Sequence, residues 1–86
     1  MKHRPLSYSL HALDVIEERG VAKEWIQRAI DEPGFTLADR EDSDLEHALI
    51  PTAEREGRVL RVVYNRSVEP IRVLTAYFDR AMRGEL

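Results

Sequence analysis

The apolar residues in the first third of the chain repeat at helical spacing. The first apolar stripe consists of Leu10, Leu13 and Ile16. Ser9 precedes this stripe as a typical N-cap, and Gly20 follows it as a residue that readily ends a helix in a left-handed conformation. The pattern therefore predicts a first helix over residues 9–19.

A second apolar stripe follows directly and consists of Trp25, Ile26, Ala29 and Ile30. Pro33 and Gly34 come after it, and neither residue continues a helix well. We predict a second helix over residues 22–31. Because only a glycine turn separates the two helices, we expect them to form an αα-hairpin.

From Gly34 onward apolar and polar residues tend to alternate, which is typical of strands. We predict four strands, over residues 35–38, 45–50, 58–64 and 71–77. The last two are apolar on both faces, so we expect them at the centre of the sheet. Their connections are short, and strands that follow each other usually pair. The expected fold is α+β, with two N-terminal helices packed on a mainly antiparallel sheet of about four strands.

Length and composition fit one soluble domain. With 86 residues, the chain has room for a single hydrophobic core. It contains no cysteine, and its three histidines lack the close spacing of metal ligands, so we expect no metal and no cofactor. No apolar run approaches the roughly 20 residues of a membrane-spanning helix. The basic first five residues have no apolar segment behind them, so we expect no signal peptide and a cytoplasmic location.

The net charge of −3 conceals an uneven distribution along the chain. Residues 31–56 carry nine acidic and two basic side chains, whereas residues 57–86 carry six arginines and three acidic side chains. This division predicts two surfaces of opposite charge. The alternative is that the acidic run around Glu41 only solvates an exposed turn, as charge runs commonly do.

His11 is the first candidate for proton transfer. It stands near the start of the first predicted helix, where backbone N–H groups without partners attract phosphate groups. Histidine is the most common side chain in proton transfer, because free histidine titrates near neutrality. The alternative is a packed or half-exposed structural histidine.

Arg19 is a second candidate, at the other end of the same helix. It lies eight residues after His11, which places it about 80° around the helix and roughly 12 Å along it. The two side chains can therefore border one groove without touching the same atom. The alternative role of Arg19 is to bond the last carbonyl groups of the helix.

Arginine and tyrosine side chains near the predicted strands make a candidate RNA-binding surface. Guanidinium groups bind phosphate through forked donors, and aromatic rings stack on bases. The candidates are Arg58, Arg61, Tyr64 and Arg80. Arg61 has a structural alternative, because an arginine inside an apolar strand must reach solvent or pair with a carboxylate. His47 shares its predicted strand face with two leucines, so we expect a structural role for it.

Thr75 and Tyr77 end the last predicted strand, and alternation places them on the same face as Ile71 and Val73. A core or cross-strand contact is the default role for both. The chain has no Gly-rich phosphate loop, no nucleophile elbow and no paired-carboxylate motif. These absences argue against an ordinary metabolic enzyme.

Short motifs in a fixed order resemble those of one family. They are Ser9-Leu10-His11-Ala12, Glu18-Arg19-Gly20-Val21, Arg58-Val59-Leu60-Arg61-Val62-Val63-Tyr64 and Val73-Leu74-Thr75-Ala76-Tyr77. The set resembles a small bacterial family of domains of unknown function with an S-x-H-A start, an E-R-G-I/V helix end and a V-I/L-T-x-Y/F final strand. That family is similar in layout to the RelE, ParE and BrnT toxins of toxin–antitoxin pairs. The resemblance implies a single RelE/BrnT-like domain over residues 1–86.

The resemblance also implies an activity, a metal-independent endoribonuclease in which the RNA 2′-hydroxyl attacks the adjacent phosphate. It assigns His11 as acid or base, Arg19 as a stabiliser of the developing charge, and Thr75 and Tyr77 as polar groups of the final strand. It implies a cognate antitoxin that covers the basic sheet face, and RNA or the ribosome as target. Two departures stand against it, since the chain is acidic overall and Ala22 replaces a common serine cap.

Two other hypotheses about function involve the same residues without catalysis. In the first, the chain is a protein-binding module that docks a partner, or forms a homodimer, through its sheet. In the second, it is a folded but inactive remnant of a toxin. Fold alone does not decide among the three.

Overall fold

The computed structural model describes residues 3–86 as two helices and a five-stranded sheet. In chain order the elements are β1 (Leu6–Tyr8), α1 (Leu10–Arg19), α2 (Lys23–Asp31), β2 (Phe35–Ala38), β3 (Leu45–Thr52), β4 (Arg58–Asn65) and β5 (Ile71–Phe78). Short 3-10 helices span Ala53–Arg55 and Arg80–Met82. The signal-peptide prediction used the first five residues, of which Met1 and Lys2 lie outside the described part.

The two helices begin and end where their capping residues predict. The Ser9 hydroxyl accepts a hydrogen bond from the Ala12 N–H at 3.0 Å, which satisfies one free donor of the first turn. Gly20 has a φ of 67°, and the next N–H, that of Val21, donates to the Ile16 carbonyl at 2.8 Å. Both helix predictions are confirmed to within one residue at each end.

The sheet differs from the prediction in strand number and direction. Its strand order is β1-β5-β4-β3-β2, and β1 runs parallel to β5 while all other pairs are antiparallel. The expected, mainly antiparallel sheet of about four strands therefore lacked only the parallel strand β1. Strand β1 has only three residues, which is too short for an alternating pattern to be recognised. The predicted central position of β4 and β5 is confirmed, because each has a strand on both sides.

One face of the sheet packs against both helices and forms the core. Strand residues of this face are Ala48, Leu60, Val62, Tyr64, Ile71, Val73 and Ala76, and helix residues facing them are Ala12, Val15, Ile16, Ile26, Ala29 and Ile30. We call the opposite side of the sheet the open face. Neither α1 nor α2 packs against this face.

The C-terminal segment crosses one end of the open face. The 3-10 helix Arg80–Met82 follows β5 and contacts β4. A Leu86 methyl group lies 3.8 Å from the place of a Cβ atom on Gly34, just before β2. The segment therefore runs from the end of β5, past β4, to the start of β2. Leu49 and Val59 of the open face are buried.

Arg55 joins the end of α1 to the sheet. Its Nη2 donates to the Gly20 carbonyl at 2.8 Å, so it satisfies a carbonyl group at the end of the helix. Its guanidinium carbon lies 5.5 Å from the ring centre of Trp25 and 5.8 Å from that of Phe78, within cation–π range. One side chain therefore holds α1, α2 and β5 together.

Replacing Gly20 with alanine should lower the free energy of unfolding by about 2 kcal/mol. The left-handed backbone costs an L-residue about 1 kcal/mol. The new Cβ would also lie 2.7 Å from Arg55 Nη2 and displace the guanidinium from its carbonyl. Gly57→Ala is the matched control, because Gly57 has a φ of 80° and, among residues 3–86 other than its chain neighbours, no heavy atom lies within 4 Å of its Cβ position. Urea unfolding that shows equal losses for the two variants would contradict the role of Arg55.

Candidate functional site

His11 lies exposed in the first turn of α1, beside the middle of β5. Its position is fixed by Ser9, whose backbone N–H donates to the Val73 carbonyl at 3.0 Å. The Ser9 hydroxyl donates to the Leu74 carbonyl at 3.3 Å. No acidic residue lies in the first turn, so the positive end of the helix dipole is not neutralised there.

Arg19 ties the other end of α1 to the same strand. Its Nη1 donates to the Ala76 carbonyl at 2.9 Å. The alternative prediction, that Arg19 bonds the last carbonyls of its own helix, is therefore replaced by a bond to the sheet. This bond holds the guanidinium within one residue of Thr75 and Tyr77 along the strand.

Thr75 and Tyr77 face away from the core, contrary to the predicted alternation. The pairing register shifts in β5, because Tyr64 pairs with Val73 while Val63 pairs with Thr75. Leu74 is the extra residue of this bulge, and one extra residue moves all following side chains to the other face. Thr75 and Tyr77 thus lie on the open face, half-buried.

Arg19, Thr75 and Tyr77 lie at one stretch of β5. His11 has no contact of its own with this strand among the described hydrogen bonds, but it stands two residues after Ser9, which is bonded to the strand. These positions on β5 run from Val73 to Tyr77, a distance of about 13 Å at the rise of a strand. His11 and Arg19 approach from α1, whereas Thr75 and Tyr77 project from the open face. Strand β5 thus links residues that come from separate segments of the chain.

Three arginines form a basic cluster next to this stretch. Arg58 begins β4, and Arg80 and Arg83 lie in and after the second 3-10 helix. They line one pocket together with Val59, Phe78 and Asp79. Two of the predicted RNA-binding arginines are thereby placed together, and Arg83 joins them although no sequence motif singled it out.

Arg61 lies on the open face but is already paired. Its Nε and Nη2 each lie 2.8 Å from Asp79 Oδ2, and its Nη1 lies 2.8 Å from His47 Nδ1. The Arg61 and Asp79 side chains are only 14% and 17% exposed. This geometry matches the structural role predicted as an alternative for Arg61, a pair with a carboxylate. A phosphate group could bind Arg61 only by displacing Asp79.

His47 extends this pair into a chain of four side chains across the open face. Because Nδ1 accepts from Arg61, Nε2 carries the proton and donates to Asp39 Oδ1, 2.7 Å away. This hydrogen bond lowers the pKa of the Asp39 carboxyl group, and the N–H groups of Glu41 and Asp42 lower it further. The expected structural role of His47 fits these contacts. Its partners Asp39 and Arg61 lie eight and fourteen positions away in the sequence, so the alternation of apolar and polar residues does not reveal these contacts.

Tyr64 is not part of the open face. Its side chain belongs to the core, with 2% of the residue exposed, and its hydroxyl donates to the Glu46 carboxylate. Burial, and then the hydrogen bond and charge of Glu46, raise the pKa of Tyr64 to about 12. The ring offers no free surface on which a base can stack, so we remove Tyr64 from the RNA-binding set.

Neither a metal-binding arrangement nor a membrane helix is found within residues 3–86. No three histidine or acidic side chains of this part of the chain are grouped as metal ligands. Its helices also fall short of the length and apolar character that crossing a bilayer requires.

Comparison with known proteins yields a family match. A family model described as a domain of unknown function (DUF4258) matches residues 8–78. These residues include α1, α2 and strands β2 to β5, and therefore all the residues proposed above except Arg80 and Arg83. No curated protein and no solved structure matches the chain.

Asp79→Asn should lower the free energy of unfolding by about 2 kcal/mol, because it leaves the largely buried Arg61 cation without its counter-charge. Glu54→Gln is the control, since the Arg28–Glu54 pair is 37% and 41% exposed and such pairs contribute little. Urea unfolding at neutral pH measures both. If Asp79→Asn is as stable as the control, the chain of side chains on the open face does not stabilise the fold.

Proposed function

The chain belongs to the DUF4258 family of domains of unknown function, and on this premise we propose that it is a toxin-like, metal-independent endoribonuclease. By toxin-like we mean similar to the RelE, ParE and BrnT toxins of toxin–antitoxin pairs. The observation that supports the proposal is that both ends of α1 are hydrogen-bonded to β5. Ser9, two residues before His11, bonds Val73 and Leu74. Arg19 bonds the Ala76 carbonyl, between Thr75 and Tyr77.

The proposed reaction needs few groups from the protein. The 2′-oxygen of RNA forms a bond to the adjacent phosphorus, and the bond from phosphorus to the 5′-oxygen breaks. One proton leaves the 2′-hydroxyl and another joins the 5′-oxygen, and His11 transfers one of them. The products are a 2′,3′-cyclic phosphate and a 5′-hydroxyl. Arg19 supplies positive charge for the phosphate oxygens in the transition state.

The exposed position of His11 suits this role. A helix N-terminus attracts phosphate through its free N–H groups, and the N–H groups of Leu10 and His11 precede those that Ser9 caps. In this proposal, a phosphate group held by these N–H groups lies close to the His11 side chain. Tyr77, further along β5, offers a hydroxyl and a ring edge to the neighbouring nucleotide.

The basic cluster extends this site. Arg58, Arg80 and Arg83 lie beyond Tyr77 at the same end of β5, so an RNA strand that passes Tyr77 meets three guanidinium groups. Such contacts bind the phosphate backbone without reading sequence. In this proposal, a cognate antitoxin that covers the open face blocks the RNA path and holds the activity in check.

A second function, docking of a protein partner without catalysis, also has a specific observation in its favour. Arg19 and Arg61 are both hydrogen-bonded within the chain itself. Arg19 binds the Ala76 carbonyl, and Arg61 binds the Asp79 carboxylate. No strand of residues 3–86 pairs with the outer edge of β2, so this edge can accept a strand of a partner protein. The two functions are separated by whether RNA is cleaved.

Purified full-length protein should cleave a mixed RNA in EDTA, and His11→Ala should slow cleavage by about 100-fold or more, the usual contribution of a general acid or base. Gel electrophoresis gives the rates, and chemical analysis of the ends gives the cyclic phosphate. His3→Ala is the matched control, because His3 is also exposed and bonds only Asp31 among the described residues.

Two results would contradict the proposal. Intact RNA with wild-type protein would show that the domain does not cleave RNA. Equal cleavage by wild type and His11→Ala would remove His11 from the site. Substitution of 2′-deoxynucleotides must abolish cleavage, since the attacking hydroxyl is then missing.

The double variant Arg58→Ala, Arg80→Ala should weaken RNA binding and reduce the slope of log affinity against log salt by about 1.4, or 0.7 for each phosphate contact of a single strand. Fluorescence anisotropy with a labelled oligonucleotide measures this slope. Arg72→Ala is the control, because Arg72 is also exposed but lies at the other end of β5. An unchanged slope in the double variant would place the RNA elsewhere.

A further inference from the structure

Strand β2 forms an open edge of the sheet. It pairs with β3 on one side, and no strand of residues 3–86 lies on its other side. All four of its residues, Phe35–Ala38, are exposed. Natural proteins usually protect such an edge, because its free peptide groups can pair with another chain.

The peptide groups of Thr36 and Ala38 point to this free side. The Asp39 N–H donates to the Leu45 carbonyl of β3 at 3.2 Å. In an antiparallel pair, residues that bond the neighbour alternate with residues that face away. Phe35 and Leu37 therefore bond β3, and the N–H and C=O groups of Thr36 and Ala38 remain for an added strand.

Two apolar side chains accompany these peptide groups. Phe35 and Leu37 are 45% and 37% exposed. They lie on the open face, opposite Leu49 and His47 of β3. An added strand with apolar residues at alternate positions would cover both and continue the apolar surface of this face.

Acidic residues stand at both ends of the edge. Glu32 precedes β2, and Glu41 and Asp42 follow it, all three exposed. None of the three forms a salt bridge with another described residue. Asp31 and Asp39, in contrast, are paired with His3 and His47. The acidic turn, residues 39–44, holds four acidic side chains and Arg40. The Arg66 guanidinium also reaches this turn, where its Nη2 donates to the Ser43 carbonyl at 3.3 Å. The net charge at the edge remains negative.

We propose that the edge of β2 binds an extended segment of a partner protein in which apolar residues alternate with lysine or arginine. The peptide groups of Thr36 and Ala38 supply the hydrogen bonds, Phe35 and Leu37 supply the apolar contact, and the acidic ends select a basic segment. This surface lies across the sheet from His11 and does not depend on the proposed ribonuclease activity.

A second copy of the chain fits this edge poorly. Antiparallel pairing of β2 with β2 of another copy, centred on Leu37 so that Thr36 of each copy pairs with Ala38 of the other, places the acidic turn of each copy beside Glu32 of the other. Like charges that face each other across strands destabilise the pair. The edge therefore favours a partner of opposite charge over itself.

Two capped heptapeptides test the proposal, one alternating lysine with valine and one alternating glutamate with valine. In NMR titrations of the full-length protein at low salt, the lysine peptide should shift the amides of residues 35–38. Its affinity should exceed that of the glutamate peptide at least tenfold and should fall as salt is added.

Thr36→Pro removes the outward N–H group without removing a bond to β3, and proline is tolerated at a sheet edge. It should reduce lysine-peptide affinity at least tenfold, whereas Thr36→Val, which keeps the N–H group, should bind as wild type does. Circular dichroism verifies the fold. The double variant Glu32→Lys, Glu41→Lys changes only exposed side chains and should reverse the preference between the two peptides.

Three outcomes would overturn the proposal. The first is equal affinity for both peptides, and the second is undiminished binding to Thr36→Pro. The third is a concentration-dependent dimer of the protein alone with amide shifts in β2, which would make a second copy the occupant.

Discussion

The single extra residue at Leu74 decides which side chains of β5 reach the open face. Before the bulge, Ile71 and Val73 point into the core, and after it Ala76 does so. Without the extra residue, Thr75 and Tyr77 would point towards the helices, and Asp79 would lie on the wrong side to meet Arg61. The core and the candidate site therefore depend on one local irregularity, as is often found for bulges near functional sites.

The same region shows how the fold satisfies peptide groups at the edge of β5. Strand β1 covers only Ile71 to Val73. Beyond it, side chains replace a neighbouring strand, since the Ser9 hydroxyl bonds the Leu74 carbonyl and the Arg19 guanidinium bonds the Ala76 carbonyl. Helix α1 thus protects the sheet edge on this side. On the opposite side of the sheet, no part of residues 3–86 pairs with the outer edge of β2.

Local signals in the sequence predicted most of the fold. Ser9 and Gly20 mark the ends of α1, and alternation identified β2 to β5. The sequence did not reveal β1, which is short and pairs with residues 65 positions away. The site was harder to predict, because the bulge at Leu74 leaves no pattern in the apolar residues and reverses the expected face of Thr75. The pairing of Arg61 with Asp79 depends on two strands coming together, which the spacing of 18 residues does not indicate.

The pairing of β1 with β5 has a consequence for the order of folding. Leu6 pairs with Ile71, so this contact closes a loop that contains almost every other element of the domain. Long loops close late and slow folding, because their entropy is lost before the contact is gained. During synthesis, α1 and α2 leave the ribosome well before the strand that fixes α1 in place. Helix α1 packs mainly on β5, so its apolar face remains in water until the last fifth of the chain arrives, whereas α2 can settle earlier on β3 and β4.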